Sequence, residues 1–169
     1  MADPKIAFSI TISPSHEGGF QNNPNDSGNW TGGKVGEGEL RGTKYGISAA
    51  QFPDEDIENM TPERAIEIYT EKYWPLLYSD IQSQDFANKL ADIGVPFGVG
   101  TAIIVVQTLL ELKADGIFGP MTLRAVNEYD PISLIKAFKS TFVTHALNIG
   151  MACPEKREFV AGWIRRINS

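Results

Sequence analysis

The chain is poor in the residues on which several function classes depend. A single cysteine, Cys153, in 169 residues excludes an intramolecular disulfide framework and any multi-cysteine zinc site. Its two histidines, His16 and His145, stand far apart without metal-ligand spacing, so a structural metal is not expected. Basic charge is scarce: 15 Lys and Arg against 21 Asp and Glu give a net −6, whereas a nucleic-acid binder would show a basic face. The first thirteen residues carry Asp3 and Pro4 and no basic start, which is not a signal-peptide pattern. The longest uncharged run, Ile93 to Leu110, is broken by Gly94, Pro96, Gly98 and Gly100. It reads as a turn followed by a buried core helix, not as a membrane span. The expectation is a monomer made in the cytoplasm, with no membrane insertion and no nucleic-acid partner.

What is present supports a folded core. Hydrophobic residues make up 42% and charged residues 21%, enough for one compact domain or two small lobes. Helical periodicity dominates after residue 60. Thr61-Pro62-Glu63 reads as a cap, a proline at the first helical position and an acid at the positive end of the dipole. Ile66, Tyr69 and Tyr73 continue that helix, and Pro75 closes it. Phe86, Leu90 and Ile93 mark a second helix, and residues 100 to 112 a third that is apolar almost all round and therefore central. Gly119-Pro120 opens a fourth. Asp130-Pro131 opens a fifth, with Ile135, Phe138, Phe142 and His145 on one face. Pro154 starts a last helix carrying Phe159, Trp163 and Ile167. Before residue 60 the pattern differs. Six of the sixteen positions from Ser27 to Gly42 are glycine, which suits a loop or a small twisted hairpin, and Thr43 to Ile47 alternates like a short strand. The fold class is therefore α+β and mostly α: a small hairpin-containing N-terminal lobe and a larger helical C-terminal lobe.

Two carboxylates stand out. Glu17 precedes Gly18-Gly19, where a helix must end, and an apolar cover there would hold its proton near neutral pH as a general acid requires. A solvent-facing Glu beside an ordinary turn is the plainer alternative. Asp26 follows with eight residues between, inside Asn25-Asp26-Ser27-Gly28, a turn setting that leaves a carboxylate wet and ionised. Thr43 lies beyond the glycine-rich stretch. One buried acid, one wet carboxylate and a nearby hydroxyl are the parts of an inverting glycoside hydrolase, whose carboxyls stand roughly 6.5–9.5 Å apart.

His16-Glu17-Gly18-Gly19-Phe20, Asn25-Asp26 and Thr43-Lys44-Tyr45-Gly46-Ile47 resemble the signature of glycoside hydrolase family 108, the phage-type endolysins and bacterial N-acetylmuramidases. Ala65 to Tyr69 with Tyr73-Trp74 resemble that family's second helix. Asp115-Gly116-Ile117-Phe118-Gly119-Pro120 with Thr122 resembles its C-terminal peptidoglycan-binding region, and Gly162-Trp163 with Arg165 or Arg166 its ending. The resemblance implies a lysozyme-like fold with a catalytic region at 1–92 and a helical peptidoglycan-binding-like region at 93–169, packed as one unit. It implies cleavage of the β-1,4 bond between N-acetylmuramic acid and N-acetylglucosamine, with Glu17 as acid, Asp26 as second carboxylate and Thr43 holding the attacking water. Phe20, Trp30, Tyr45 and Tyr73 are the aromatic candidates to line the sugar groove. It implies no cofactor, and a lytic enzyme that reaches the wall from the host cytoplasm.

Three departures from the pattern bear on this. Sixteen residues separate Asp26 from Thr43 where phage-type lysozymes place the threonine five after the aspartate. The extra length is the glycine-rich segment from Trp30 to Arg41, and Trp30 either stacks on a sugar or anchors this loop. Pro14 stands three residues before Glu17, where relatives continue a helix, and Gly94 to Gly98 lacks the Asn that relatives carry there. Two rival readings are a lytic transglycosylase, which would use Glu17 alone, and a noncatalytic wall-binding protein. Neither uses Asp26 and Thr43. The acidic balance, with a pI near 4.9, offers no help in crossing an anionic outer membrane. Weak clearing of intact Gram-negative cells and stronger clearing of permeabilised ones is expected in a turbidity assay; equal clearing of both would contradict this.

Overall fold

Prolines set several of the helix starts, because the first helical position needs no N–H donor and a fixed φ suits it. In the computed structural model, which describes residues 1–13 and 19–169, α1 (Pro4–Thr11), α2 (Pro62–Tyr73), α5 (Pro120–Glu128) and α6 (Pro131–Ala152) all begin this way. Asp130 caps α6 by accepting the Ser133 N–H at 2.8 Å, which holds its carboxyl below the usual range. Between these lie α3 (Gln84–Phe97), capped by Ser83, and α4 (Val99–Leu109); α7 (Arg157–Asn168) ends the chain. The strands β1 (Thr43–Lys44) and β2 (Ile47–Ser48) form an antiparallel hairpin with Thr43 opposite Ser48 and Lys44 opposite Ile47. The mostly helical α+β class is therefore as expected.

The chain divides into two compact units. The smaller runs from Phe8 to Lys72 and contains the hairpin and most of α2. Its buried apolar residues include Phe8, Ile12, Ile47, Ile57, Met60 and Ile68, and the Phe8 ring stacks on Tyr69 at 5.5 Å. The larger comprises residues 1–7 and 73–169. Here α3 packs with α4, α6 and α7 around Phe86, Leu90, Ile93, Phe138, Phe142 and Ile167, all essentially inaccessible to solvent. Edge-on ring contacts join Phe86 to Phe138 and Phe138 to Phe142. The expected division between residues 92 and 93 falls inside α3.

Several local expectations need correction. Thr43 to Ile47 is not one strand: Tyr45 and Gly46 take φ of 53° and 74° and turn the chain back on itself. Two consecutive positive φ values make a type I′ turn, the geometry that matches the twist of a hairpin and that glycine takes without cost. Gly94 to Phe97 is not a turn either, since α3 continues through Pro96 to Phe97. A proline one residue from the helix end removes a single backbone hydrogen bond, that to the Asp92 carbonyl, so the helix survives it. The third helix is not buried all round, as Ile104 is exposed. On α6 the buried row is Leu134, Phe138, Phe142, Ala146 and Gly150, a spacing of four, with Ile135 and His145 half-buried beside it. On α7 only Ile167 is buried, while Phe159 is exposed and Trp163 half-buried.

One ionic cluster links α3 to α7. Asp92 accepts from Arg166 Nε at 2.8 Å and from Lys89 Nζ at 3.2 Å, and the Lys89 ammonium also donates to the Arg166 carbonyl. All three side chains are largely buried. Burial pushes the Lys89 amine below its ordinary value, and the Asp92 carboxylate opposes that shift. Removing the shared anion leaves two desolvated cations facing each other. Asp92→Ala should therefore destabilise the fold by about 3 kcal/mol or more in urea unfolding; a loss under about 1 kcal/mol would mean the cluster is solvated in solution.

Candidate active site

Glu17, the expected acid, lies outside the described residues together with Pro14, Ser15, His16 and Gly18. The other two expected catalytic residues belong to the smaller unit, and their surroundings are set by a network that the sequence did not reveal. The chain from Gln21 pairs with Thr43 as an isolated antiparallel bridge, Gln21 N–H to Thr43 carbonyl and Thr43 N–H to Gln21 carbonyl, both at 2.9 Å. Directly opposed residues of such a pair put their side chains on the same face. Gly42 makes this approach possible: a Cβ there would sit 2.5 Å from the Gln21 carbonyl oxygen and 2.7 Å from the Phe20 ring, and φ is +84°.

Asp26 is exposed, as a wet carboxylate should be. It caps the short 3-10 turn Ser27–Asn29, its Oδ1 accepting the Gly28 N–H at 2.9 Å. Its other oxygen, Oδ2, accepts from Gln21 Nε2 at 3.2 Å. Asn29, which closes that turn, is fully buried. Its backbone N–H donates to the Asp26 carbonyl, and its own carbonyl accepts the N–H groups of Arg41 and Gly42. Its side-chain Oδ1 accepts from Thr43 Oγ1 at 2.7 Å and from Gln21 Nε2 at 3.0 Å. Its Nδ2 donates to Gln21 Oε1 at 2.8 Å and to the Asn23 carbonyl at 2.9 Å. Asp26 and Thr43 are thus joined through two amides, Gln21 and Asn29. Both lie in a polar run that reads as mere turn composition.

The aromatic candidates are more dispersed. Phe20 borders a cavity of about 290 Å³ in the smaller unit, with Leu40, Arg41, Ile57 and the carboxylates of Asp54, Asp56 and Glu58 around it. Asn59 donates to Asp56 from its side chain and its backbone, holding that carboxyl below the usual range. Trp30 is half-buried, bridges to Leu40 and donates its indole N–H to the Pro24 carbonyl at 2.9 Å, so it ties both ends of the glycine-rich loop. Tyr45 sits in the hairpin turn with Lys44 Nζ 5.6 Å from its ring centre, and its carbonyl accepts the Tyr69 hydroxyl at 3.0 Å. Tyr73 ends α2, half-buried, and belongs to the larger unit.

The second sequence motif is a loop lock. Gln107 on α4 is buried and donates through Nε2 to Asp115 Oδ1, the Ile117 carbonyl and Thr122 Oγ1. Its Oε1 accepts the Gly116 N–H at 2.9 Å. Phe118 is buried with its ring edge-on to Tyr78 at 4.8 Å. The Asp115 carboxylate, which also accepts the Ile117 N–H, is held below its ordinary value by these donors. Asp115-Gly116 and Thr122 therefore serve packing of the helical unit. Elsewhere in that unit a hollow of about 280 Å³ is lined by Ile81, Phe86, Val126, Tyr129 and Leu134. Among the described residues no group of three or more His, Cys, Asp or Glu side chains is placed to hold a metal. No helix among them is long and apolar enough to cross a membrane.

The family described as "Glycosyl hydrolase 108" matches residues 11–98, and that described as "Predicted Peptidoglycan domain" matches residues 101–168. No curated protein matches the chain. Among solved structures, that of Brucella abortus SagA is similar, with a TM-score of 0.67 at 22% identity over 96% of this chain and 86% of the other. At that identity the likeness concerns the fold alone.

Proposed function

The chain belongs to the glycosyl hydrolase 108 family, and on that premise we propose that it is a lysozyme-type muramidase that cleaves the β-1,4 bond between N-acetylmuramic acid and N-acetylglucosamine with inversion. That it is a glycoside hydrolase acting on peptidoglycan follows from the two family matches together. The finer reading rests chiefly on one observation: an exposed carboxylate, Asp26, and a hydroxyl, Thr43, share one hydrogen-bonded network. In the proposed mechanism Glu17 gives its proton to the glycosidic oxygen as the bond to the anomeric carbon breaks. A water attacks that carbon from the opposite face, passing its proton to Asp26, while Thr43 fixes the water's position. Thr43 and Asp26 have no task in a transglycosylase, which closes an anhydro ring without water.

Phe20, Tyr45 and Tyr73 are proposed to meet sugar faces, and Trp30 to do so through its ring while its N–H secures the loop. Residues 1–92 are assigned to catalysis and 93–169 to holding the wall polymer. The role that fits these parts is that of a bacteriolytic, endolysin-type enzyme. Mass spectrometry of fragments released from purified peptidoglycan tests the proposal. Wild type should release fragments ending in reducible N-acetylmuramic acid, and the near-isosteric Glu17→Gln should release none. Anhydro-ended fragments, or equal release by both proteins, would overturn it.

A further inference from the structure

The network around Asn29 fixes more than position, because it leaves the Thr43 hydroxyl no choice of polarity. Asn23 supplies the reference. Its backbone N–H can only donate, and it meets Gln21 Oε1 at 3.1 Å; its carbonyl can only accept, and it meets Asn29 Nδ2 at 2.9 Å. These two contacts orient both amides. The oxygen of Asn29 then faces Thr43, and the nitrogen of Gln21 faces Asn29 and Asp26. An amide oxygen cannot donate, so at 2.7 Å the Thr43 hydroxyl must spend its proton on Asn29. What Thr43 has left to offer is lone pairs. Both protons of Gln21 Nε2 are used as well, one on Asn29 Oδ1 and one on Asp26 Oδ2.

We propose that Asn29, held in register by Gln21, is a positioning residue that makes Thr43 an obligate hydrogen-bond acceptor, so that the nucleophilic water is bound by its protons and its lone pair is left to attack. This rests on the reading of Asp26 and Thr43 as the groups that hold that water. A water donating one proton to Asp26 and the other to Thr43 has no donor left to compete for the sugar. A Thr43 free to rotate could instead donate to the water, taking one of its two lone pairs and releasing a water proton to turn toward the sugar. The burial of Asn29 excludes solvent that would otherwise exchange with this contact.

Kinetic coupling tests the proposal. Asn29→Ser should lower kcat roughly ten- to a hundredfold and leave KM within about twofold. Thr43→Val should do the same. If Asn29 acts through Thr43, the double variant is no slower than Thr43→Val alone, whereas multiplying losses would assign Asn29 a merely structural role and overturn the proposal. Gln21→Met, which deletes the donors at a more exposed position, provides the second cycle with Thr43→Val should Asn29→Ser not fold; there too additive losses overturn it. Gln21→Glu adds a readout that packing alone would not move. Its carboxylate would face Asp26 and repel the charged base, moving the acidic limb of the kcat profile upward; an unmoved limb counts against Gln21 standing between Asn29 and Asp26. Failure of the underlying reading looks different: Asp26→Asn and Thr43→Val would both keep wild-type kcat. Full activity of the Asn29 and Gln21 variants with loss in Asp26→Asn and Thr43→Val would sink the positioning role alone.

Discussion

A side-chain amide with no access to water has to find partners within the protein, since each unmet donor or acceptor costs on the order of 1–3 kcal/mol. Asn29 occupies such a position, and much of the smaller unit's loop structure follows from satisfying it. Its side chain requires Gln21, Asn23 and Thr43 to converge, and its carbonyl gathers the N–H groups of Arg41 and Gly42. The bridge between Gln21 and Thr43 and the close approach at Gly42 are the backbone conditions for that convergence. The glycine-rich loop between them closes on itself through Trp30 and Leu40 and can be long without disturbing this centre, because the ends of a loop matter more than its length.

The larger unit uses the same device for a different end. Gln107 is buried and draws Asp115, Gly116, Ile117 and Thr122 around its amide, fixing the connection from α4 to α5. Its second polar centre, the Asp92 cluster, holds α7 to α3 at the end of the chain. The buried Tyr78 hydroxyl, by contrast, has no hydrogen-bond partner among the described residues, and burial pushes its phenol well above the ordinary value. Edge-on contacts with Trp74 and Phe118 keep its ring in place. Interior polar groups thus organise loops in both units, and among the described residues those of the smaller one also reach Asp26 and Thr43.

The helices were legible because their signals are local. Pro62, Pro120 and Pro131 mark starts that the structure reproduces, and the spacing of Phe86, Leu90 and Ile93 identifies a core face correctly. Misreadings arose where tertiary packing outweighs a local rule. Pro96 stays inside α3, and Tyr45-Gly46 turns where alternation pointed to a strand. Of the site, Asp26 could be read as a solvated carboxylate from its turn residues, and it is one. Asn29 and Gln21 could not, since an asparagine among glycines looks like any turn-former until Thr43, fourteen positions on, is folded against it. Gln107 was hidden for the same reason: its partners lie eight to fifteen residues away.

The roles proposed for Asp26, Thr43 and the amides behind them require inversion at the anomeric carbon. It can be read directly from the anomer of the new reducing end by proton NMR in the first minutes of digestion of soluble glycan strands, before mutarotation scrambles it. Attack by a water held opposite the leaving group turns the β-linked sugar into the α-anomer first. Early appearance of that anomer is the expected result; a β-anomer formed first, through a retained configuration, would contradict it.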